Sequence, residues 1–266
     1  MSSPSPHVIV LMTDFGLTDT YVGQMKGVIL SIAPAARIID LTHAVTPQNI
    51  AHGAFLLEKS ADFFPQGSIF VSVVDPGVGT SRNAIAIETE RAVFLAPDNG
   101  LLTSILQTRE IKQSVTVTDN RYLLPHRSST FHGRDVFSPA AAHLASGIPI
   151  RELGAKIDPA ECIRIPMPGC LTPDGGKSWK GSIIYTDHFG NLVTSLDSAR
   201  LDASKEWRIS AGQHQLSLYR TYGDTADQQP LAYTGSFGTI EIAIRNGNAS
   251  EALGLKDGDP VRAESI

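Results

Sequence analysis

The chain has 266 residues, 42% hydrophobic and 18% charged, which is enough apolar material for one large domain or two modest ones and excludes a disordered chain. Its 27 acidic residues outnumber 22 basic ones, for a formal charge of −5, and no Lys/Arg-rich block occurs; nucleic acid is not expected as a partner. The two cysteines, Cys162 and Cys170, do not make a disulfide framework, and no Cys/His spacing around them suits a metal.

The leading MSSPSPH lacks the basic and apolar regions of a targeting signal, and no stretch is long enough to span a bilayer. A soluble cytoplasmic protein is expected, with no membrane partner. Val8 to Met12 is a compact apolar strand ended by Thr13-Asp14-Phe15-Gly16. Asp19 to Ile32 carries Tyr21, Val22, Met25, Val28, Ile29 and Ile32 near helical spacing, and Pro34 ends it. Arg37 to Leu41 is a second strand. Pro47 can open a helix that continues through Ile50, Phe55, Leu57 and Phe64. Next comes SIFVSVVDPGVGTSR, residues 68–82, a β-branched strand broken at Asp75-Pro76-Gly77. This β-α-β-α-β order predicts a mostly parallel sheet with helices packed on it.

Ala84 to Ile87 and Ala92 to Ala96 read as further strands, the second closed by Pro97-Asp98-Asn99-Gly100, and Leu101 to Leu106 as a helix. Residues 107–128 are weakly patterned, with short strands around Val115 to Val117 and Arg121 to Leu124. Phe131 to Phe137 opens an alanine-rich helix that Gly147 ends. Prolines and glycines gather between 166 and 176 as in a linker. Beyond it helical spacing fades, and short strands are read at 181–185, 192–193, 207–209, 216–219 and 239–244. The expectation is therefore an α/β N-terminal domain, 1–165, a linker, 166–176, and a small all-β barrel or sandwich, 177–266.

Polar side chains recur where these strands end and helices begin: Asp14 with Asp19, Asp75 with Arg82, Asp98 with Asn99, and His132 with Arg134 and Asp135. In open α/β sheets ligands bind at that edge. Asp, Arg and His together can hold and polarise a water, and Asp14 or Asp98 can accept hydrogen bonds from ribose hydroxyls. Each cluster alone also reads as a cap, a turn or a buried structural pair. No HExxH, HxH, GxSxG or GxxxxGK pattern supports a metallohydrolase, a serine nucleophile or a phosphate cradle, and no metal or cofactor is expected.

Taken together, TDFGLTDTYVGQMKG, DLTHAVTPQNIAHGAFLL, VVDPGVGTSR, APDNG, FHGRDVFSPAAAHLASG and DHFGNLVTSL resemble the S-adenosyl-L-methionine hydroxide adenosyltransferases, relatives of the fluorinase and chlorinase. The resemblance runs in order along nearly the whole chain. It implies hydrolysis of S-adenosyl-L-methionine to adenosine and L-methionine, with Asp75, Arg82 and His132 preparing the water and Asp14 holding the ribose. It further implies an adenine site at Phe189 and Asn191, with Asp187, Ser236 and Glu241 toward the methionine end. A homotrimer with sites between subunits is implied too. Asp75, Val78 and Gly133 stand where the halogenases carry a tyrosine, a threonine and a serine, which favours water over halide. A non-catalytic adenosine or S-adenosyl-methionine binding module is the remaining alternative, and a halogenase a weaker one.

Overall fold

In a computed structural model of the protein, residues 8–266 are described, and the leading segment considered above lies outside them. The chain divides between Pro166 and Met167 into two compact units.

In the first unit, β1 (Val8–Thr13), α1 (Tyr21–Ile32), β2 (Arg37–Thr42), α2 (Ile50–Ser60) and β3 (Ser68–Val73) follow in the expected order, then β4 (Ala84–Thr89), β5 (Ala92–Pro97), α3 (Thr103–Thr108), β6 (Ile111–Thr116) and α4 (Ser138–Ala145). The sheet order is β2-β1-β3-β5-β4-β6. β1, β2, β3 and β5 run parallel, while β4 is antiparallel to both its neighbours. Both faces of the sheet are covered. Ile9, Leu11, Ile69 and Val71 pack with Met25, Ile29 and Phe137 on one side. Val10, Met12, Phe70 and Phe94 pack with Leu57 and Ile105 on the other. That two-sided burial is why these strands read as continuous apolar runs.

The chain leaves β1 for β2 on one side and returns as β3 on the other. The carboxyl ends of β1 and β3 therefore form the switch point where ligands enter such sheets. Thr13 is in register with Val73, so the two aspartates that follow, Asp14 and Asp75, emerge at neighbouring strand ends.

Where the sequence suggested a strand over Arg121 to Leu124, the chain makes a 3₁₀ turn, Asn120–Tyr122, capped by Asp119, whose carboxylate accepts the Arg121 amide. A capping aspartate outcompetes β-propensity in so short a run. The helix placed from Pro47 begins at Ile50, because Asn49 caps it by accepting the His52 amide.

In the second unit, β7 (Ser178–Thr186), β8 (Leu192–Asp197), β9 (Trp207–Ala211), β10 (His214–Tyr219), β11 (Pro230–Thr234), β12 (Thr239–Ile244) and β13 (Pro260–Ser265) close into a barrel, with α5 (Ala249–Leu253) between the last two. Ile183, Leu192, Leu196, Ile209, Ile242 and Val261 contribute to its interior. β11 and β13 were not read from the sequence. Both begin at a proline, and each is bounded by loops whose composition hides it. Composition marked 166–176 as a linker, but Leu171 and Lys180 exchange backbone hydrogen bonds at 2.9 and 2.7 Å. Asp174 also accepts the Ser178 amide and hydroxyl, each at 2.7 Å. This stretch is thus fastened to the barrel. Among the described residues no helix is long and apolar enough to cross a membrane.

One buried group ties stability to pH. His52, on α2, is 5% exposed, and its Nδ1 accepts the Thr46 amide. Burial lowers its pKa from 6.5 to about 4. Below pH 6.5 the unfolded chain takes up a proton that the folded chain refuses, so stability falls from there down to about pH 4. At about 1.4 kcal/mol per unit the full loss is up to about 3 kcal/mol. Urea titrations should show this slope, and His52→Gln, which keeps an acceptor but cannot protonate, should flatten it.

Candidate active site

The DPGVG segment after β3 folds Arg82 back onto Asp75. Arg82 Nε donates to both Asp75 carboxylate oxygens, at 3.1 and 2.9 Å, and Nη2 makes a further short contact with Oδ2. The two side chains are only 8% and 4% exposed. Asn99 braces this corner from the neighbouring strand end: its Nδ2 donates to the Val74 carbonyl at 2.9 Å, immediately before Asp75. Gly79 has φ +81°, and a Cβ there would lie 2.7 Å from the Ser129 carbonyl oxygen, so the two loops approach more closely than any side chain allows.

Ser129 leads into His132, which precedes a π-helical turn, Gly133–Phe137, at the head of α4. Such widened turns recur at functional sites. Arg82 Nη2 reaches His132 Nδ1 at 2.7 Å. A guanidinium only donates, so Nδ1 is the acceptor and a neutral ring carries its proton on Nε2. Burial, and then the Arg82 charge, hold the His132 pKa below its ordinary value. The result is a hydrogen-bonded row Asp75–Arg82–His132, of which Arg82 and His132 border a cleft of about 450 Å³, with Asn83, Ser128 and Ser129 among its walls.

The other clusters are differently employed. Asp14 Oδ2 accepts the amide of Gln48 at 2.8 Å, and Gln48 holds φ +63°, so Asp14 pins the loop before α2. Asp19 is exposed. Asp98 is buried and its Oδ1 receives the Ile163 amide at 2.8 Å, so it anchors the end of the unit. Asp135 is fully buried, paired with Arg134 Nε at 2.6 Å and with the Ser128 amide at 2.7 Å. Arg134 and Asp135 thus hold the loop before His132 in shape. Gly133 sits where a Cβ would come within 3.2–3.4 Å of Phe15, Met25 and Phe131, so no larger side chain fits without movement.

In the second unit, Asp187 folds its own loop by accepting the amides of Phe189 and Asn191, both at 2.8 Å. Phe189 is 74% exposed. Phe189 and Asn191 border a cleft of about 710 Å³ with Tyr222, Ile244, Arg245 and Asn246. Asn191 Nδ2 donates to Asp187 Oδ2 at 2.9 Å and to the Tyr222 hydroxyl at 3.1 Å. Tyr222 meets the Tyr233 hydroxyl at 2.5 Å, and Tyr233 donates to Glu241. Burial raises the Glu241 pKa, and the Tyr233 donation opposes it. Ser236 is exposed in the hairpin between β11 and β12, beside Gly235, where any side chain would collide with Glu241. Tyr222, Tyr233 and Arg245 were missed in the sequence because they share no spacing with Asn191. Among the described residues no group of three His, Cys, Asp or Glu side chains is arranged to hold a metal ion.

Residues 9–154 match the SAM hydroxide adenosyltransferase N-terminal domain, and residues 181–262 the C-terminal domain of the same name. A Thermus thermophilus protein named (R)-S-adenosyl-L-methionine hydrolase is 37% identical, with 96% of this chain and 98% of that one aligned. A Salinispora tropica protein of the same name is 33% identical over 98% of both chains, and a fluorinase from Actinopolyspora mzabensis is 29% identical over 98% of both. A crystal structure of an uncharacterized conserved protein from Thermotoga maritima superposes with a TM-score of 0.88 at 33% identity, covering 96% of this chain and 99% of that one. With both domain matches in order and relatives aligned end to end, the chain belongs to the SAM hydroxide adenosyltransferase family.

Proposed function

We propose that this protein hydrolyses S-adenosyl-L-methionine to adenosine and L-methionine, by in-line attack of a water on C5′. The observation that carries the reading is the Asp75–Arg82–His132 row, found in a chain whose relatives are named for this hydrolysis. The sulfonium is a good leaving group and departs as a neutral thioether, so no acid is needed on that side. The enzyme must supply an oriented oxygen nucleophile, and positioning of this kind is worth roughly 7–11 kcal/mol in favourable systems. In this reading His132 Nε2–H donates to the water oxygen, Asp75 accepts from the water, and the Arg82 guanidinium favours hydroxide character while holding both partners. Asp14 takes the ribose hydroxyls; Phe189 stacks on the base; Asn191 reads its edge. Ser236 and Asp187 belong to the methionine side of the pocket, and Glu241 helps from behind, through Tyr233.

The match to a fluorinase raises halide as a nucleophile. The buried Asp75 carboxylate repels halide, and Gly133, packed at 3.2–3.4 Å against Phe15, Met25 and Phe131, supplies no hydroxyl donor there. Incubation with S-adenosyl-L-methionine, with and without chloride or fluoride, should yield adenosine alone on chromatography. A 5′-halo-nucleoside product would reverse the assignment.

The reading includes a homotrimer in the cytoplasm, with the Asp75 row of one subunit working beside the Asn191 loop of its neighbour. Exposed apolar side chains near each half, Leu17 and Phe189, support a covered surface. Asp75→Asn and Asn191→Ala subunits, each weakly active alone, should regain activity when mixed and reassembled, because some sites then receive both intact halves. Light scattering that shows a fully active monomer would refute it.

A further inference from the structure

Hydrogen-bond direction in the second unit is fixed from two ends, the Asp187 carboxylate and the Glu241 carboxylate. Tyr233 gives its only hydroxyl proton to Glu241, so its oxygen accepts from the Tyr222 hydroxyl. Tyr222, having given its proton to Tyr233, accepts from Asn191 Nδ2, whose second hydrogen goes to Asp187 Oδ2. Burial raises the pKa of both phenols, so both keep the protons this order requires. Asn191 thus has both amide hydrogens committed, and its carbonyl oxygen is all it can offer to the cleft it borders with Phe189 and Arg245.

We propose that Glu241 and Tyr233 are positioning residues that, together with Asp187, set the amide orientation of Asn191, so that the cleft selects a nucleobase carrying an exocyclic amino donor over one carrying a carbonyl at the same place. The inference rests on the hydrolase reading and deepens it: it assigns base selectivity to two side chains that need not touch the base. Glu241 is 5% exposed and already engaged by Tyr233, which suits support better than direct contact. Without the terminal carboxylate, Tyr233 and then Tyr222 are free to turn their protons toward Asn191. Asp187 Oδ2 is then the one acceptor left to hold the amide, against a Tyr222 proton that favours the turned orientation, so a share of the amides presents hydrogens to the cleft instead. A base with a keto oxygen would no longer face acceptor against acceptor, the mismatch that makes polar sites discriminate strongly.

The test compares adenosine and inosine binding by calorimetry in the whole protein, with S-adenosyl-L-methionine hydrolysis measured alongside. The wild type should prefer adenosine by about 10–100-fold. Tyr233→Phe and Glu241→Met should each lower that ratio several-fold, by tighter inosine binding as well as weaker adenosine binding, while Asp187 keeps part of it. Glu241→Gln, whose amide oxygen still accepts from Tyr233, should restore it. Variants that fold, as judged by their melting curves, and keep the wild-type ratio overturn the proposal while leaving the hydrolase reading intact. A wild type that neither binds adenosine nor hydrolyses S-adenosyl-L-methionine overturns both.

Discussion

Replacing His132 with alanine is expected to lower kcat by about 10²–10⁴-fold, the range for a lost acid–base or orienting group. Its Nδ1 is filled by Arg82, so the ring acts through Nε2–H, and alanine leaves the water without that donor. Asp75→Asn keeps the shape but removes a carboxylate that takes three Arg82 contacts, and its kcat should fall over a similar range. Arg82→Lys is the informative change at the third position, because a single ammonium cannot replace the planar fork that joins Asp75 to His132. All three should alter KM much less than kcat, since the interaction is realised mainly in the transition state. Asp14→Ala should instead raise KM, as ribose contacts exist in ground and transition states alike. The row acts as one unit, so double variants should cost less than the sum of the singles. The pH profile follows from the same contacts. The His132 pKa lies below its ordinary value, so the neutral, active ring persists below pH 6.5 and the acid limb of kcat lies under that point. Near-wild-type kcat in both His132→Ala and Asp75→Asn would remove the row from the chemistry.

The strand-helix order of the first unit was legible because buried parallel strands are apolar on both faces and end at sharp polar turns. Asp14, Asp75 and Asp98 look alike in sequence, each an acid after a core strand. Only the sheet order separates them: Asp14 and Asp75 exit at the switch point, whereas Asp98 exits beyond it and is taken by the Ile163 amide. His132, Arg134 and Asp135 likewise look like one cluster, yet the π-helical turn sends His132 to Arg82 and leaves Arg134 and Asp135 to each other. The DHFGN motif singles out Asn191. Its supporting phenols are not singled out, because Tyr222 lies in a 3₁₀ turn and Tyr233 on a strand that begins with proline, and closure of the barrel alone brings them together.

Gly79→Ala tests whether loop separation sets the geometry of the Asp75–Arg82–His132 row. The position has φ +81°, which costs an L-residue about 1–2 kcal/mol, and the added methyl would sit 2.7 Å from the Ser129 carbonyl oxygen. Backbone cannot swing aside as a flexible side chain does, so the DPGVG loop and the loop carrying His132 must part. The 2.7 Å contact from Arg82 Nη2 to His132 Nδ1 spans that gap. Displacements near 1 Å at a reacting centre cost on the order of 10²-fold, and a fall of kcat on that order is expected, with a smaller change in KM. The melting temperature should drop as well, as for about 2 kcal/mol of lost stability. Gly77→Ala is the internal comparison. Gly77 lies in the same turn outside the left-handed φ range, and its added methyl would meet Thr80, Arg82 and Asp75 atoms only at 3.6–3.8 Å, ordinary contact distances. It should fold and turn over nearly as the wild type does. Equal, small effects at both glycines would show that the row tolerates separation of its loops, and that Gly79 serves the turn alone.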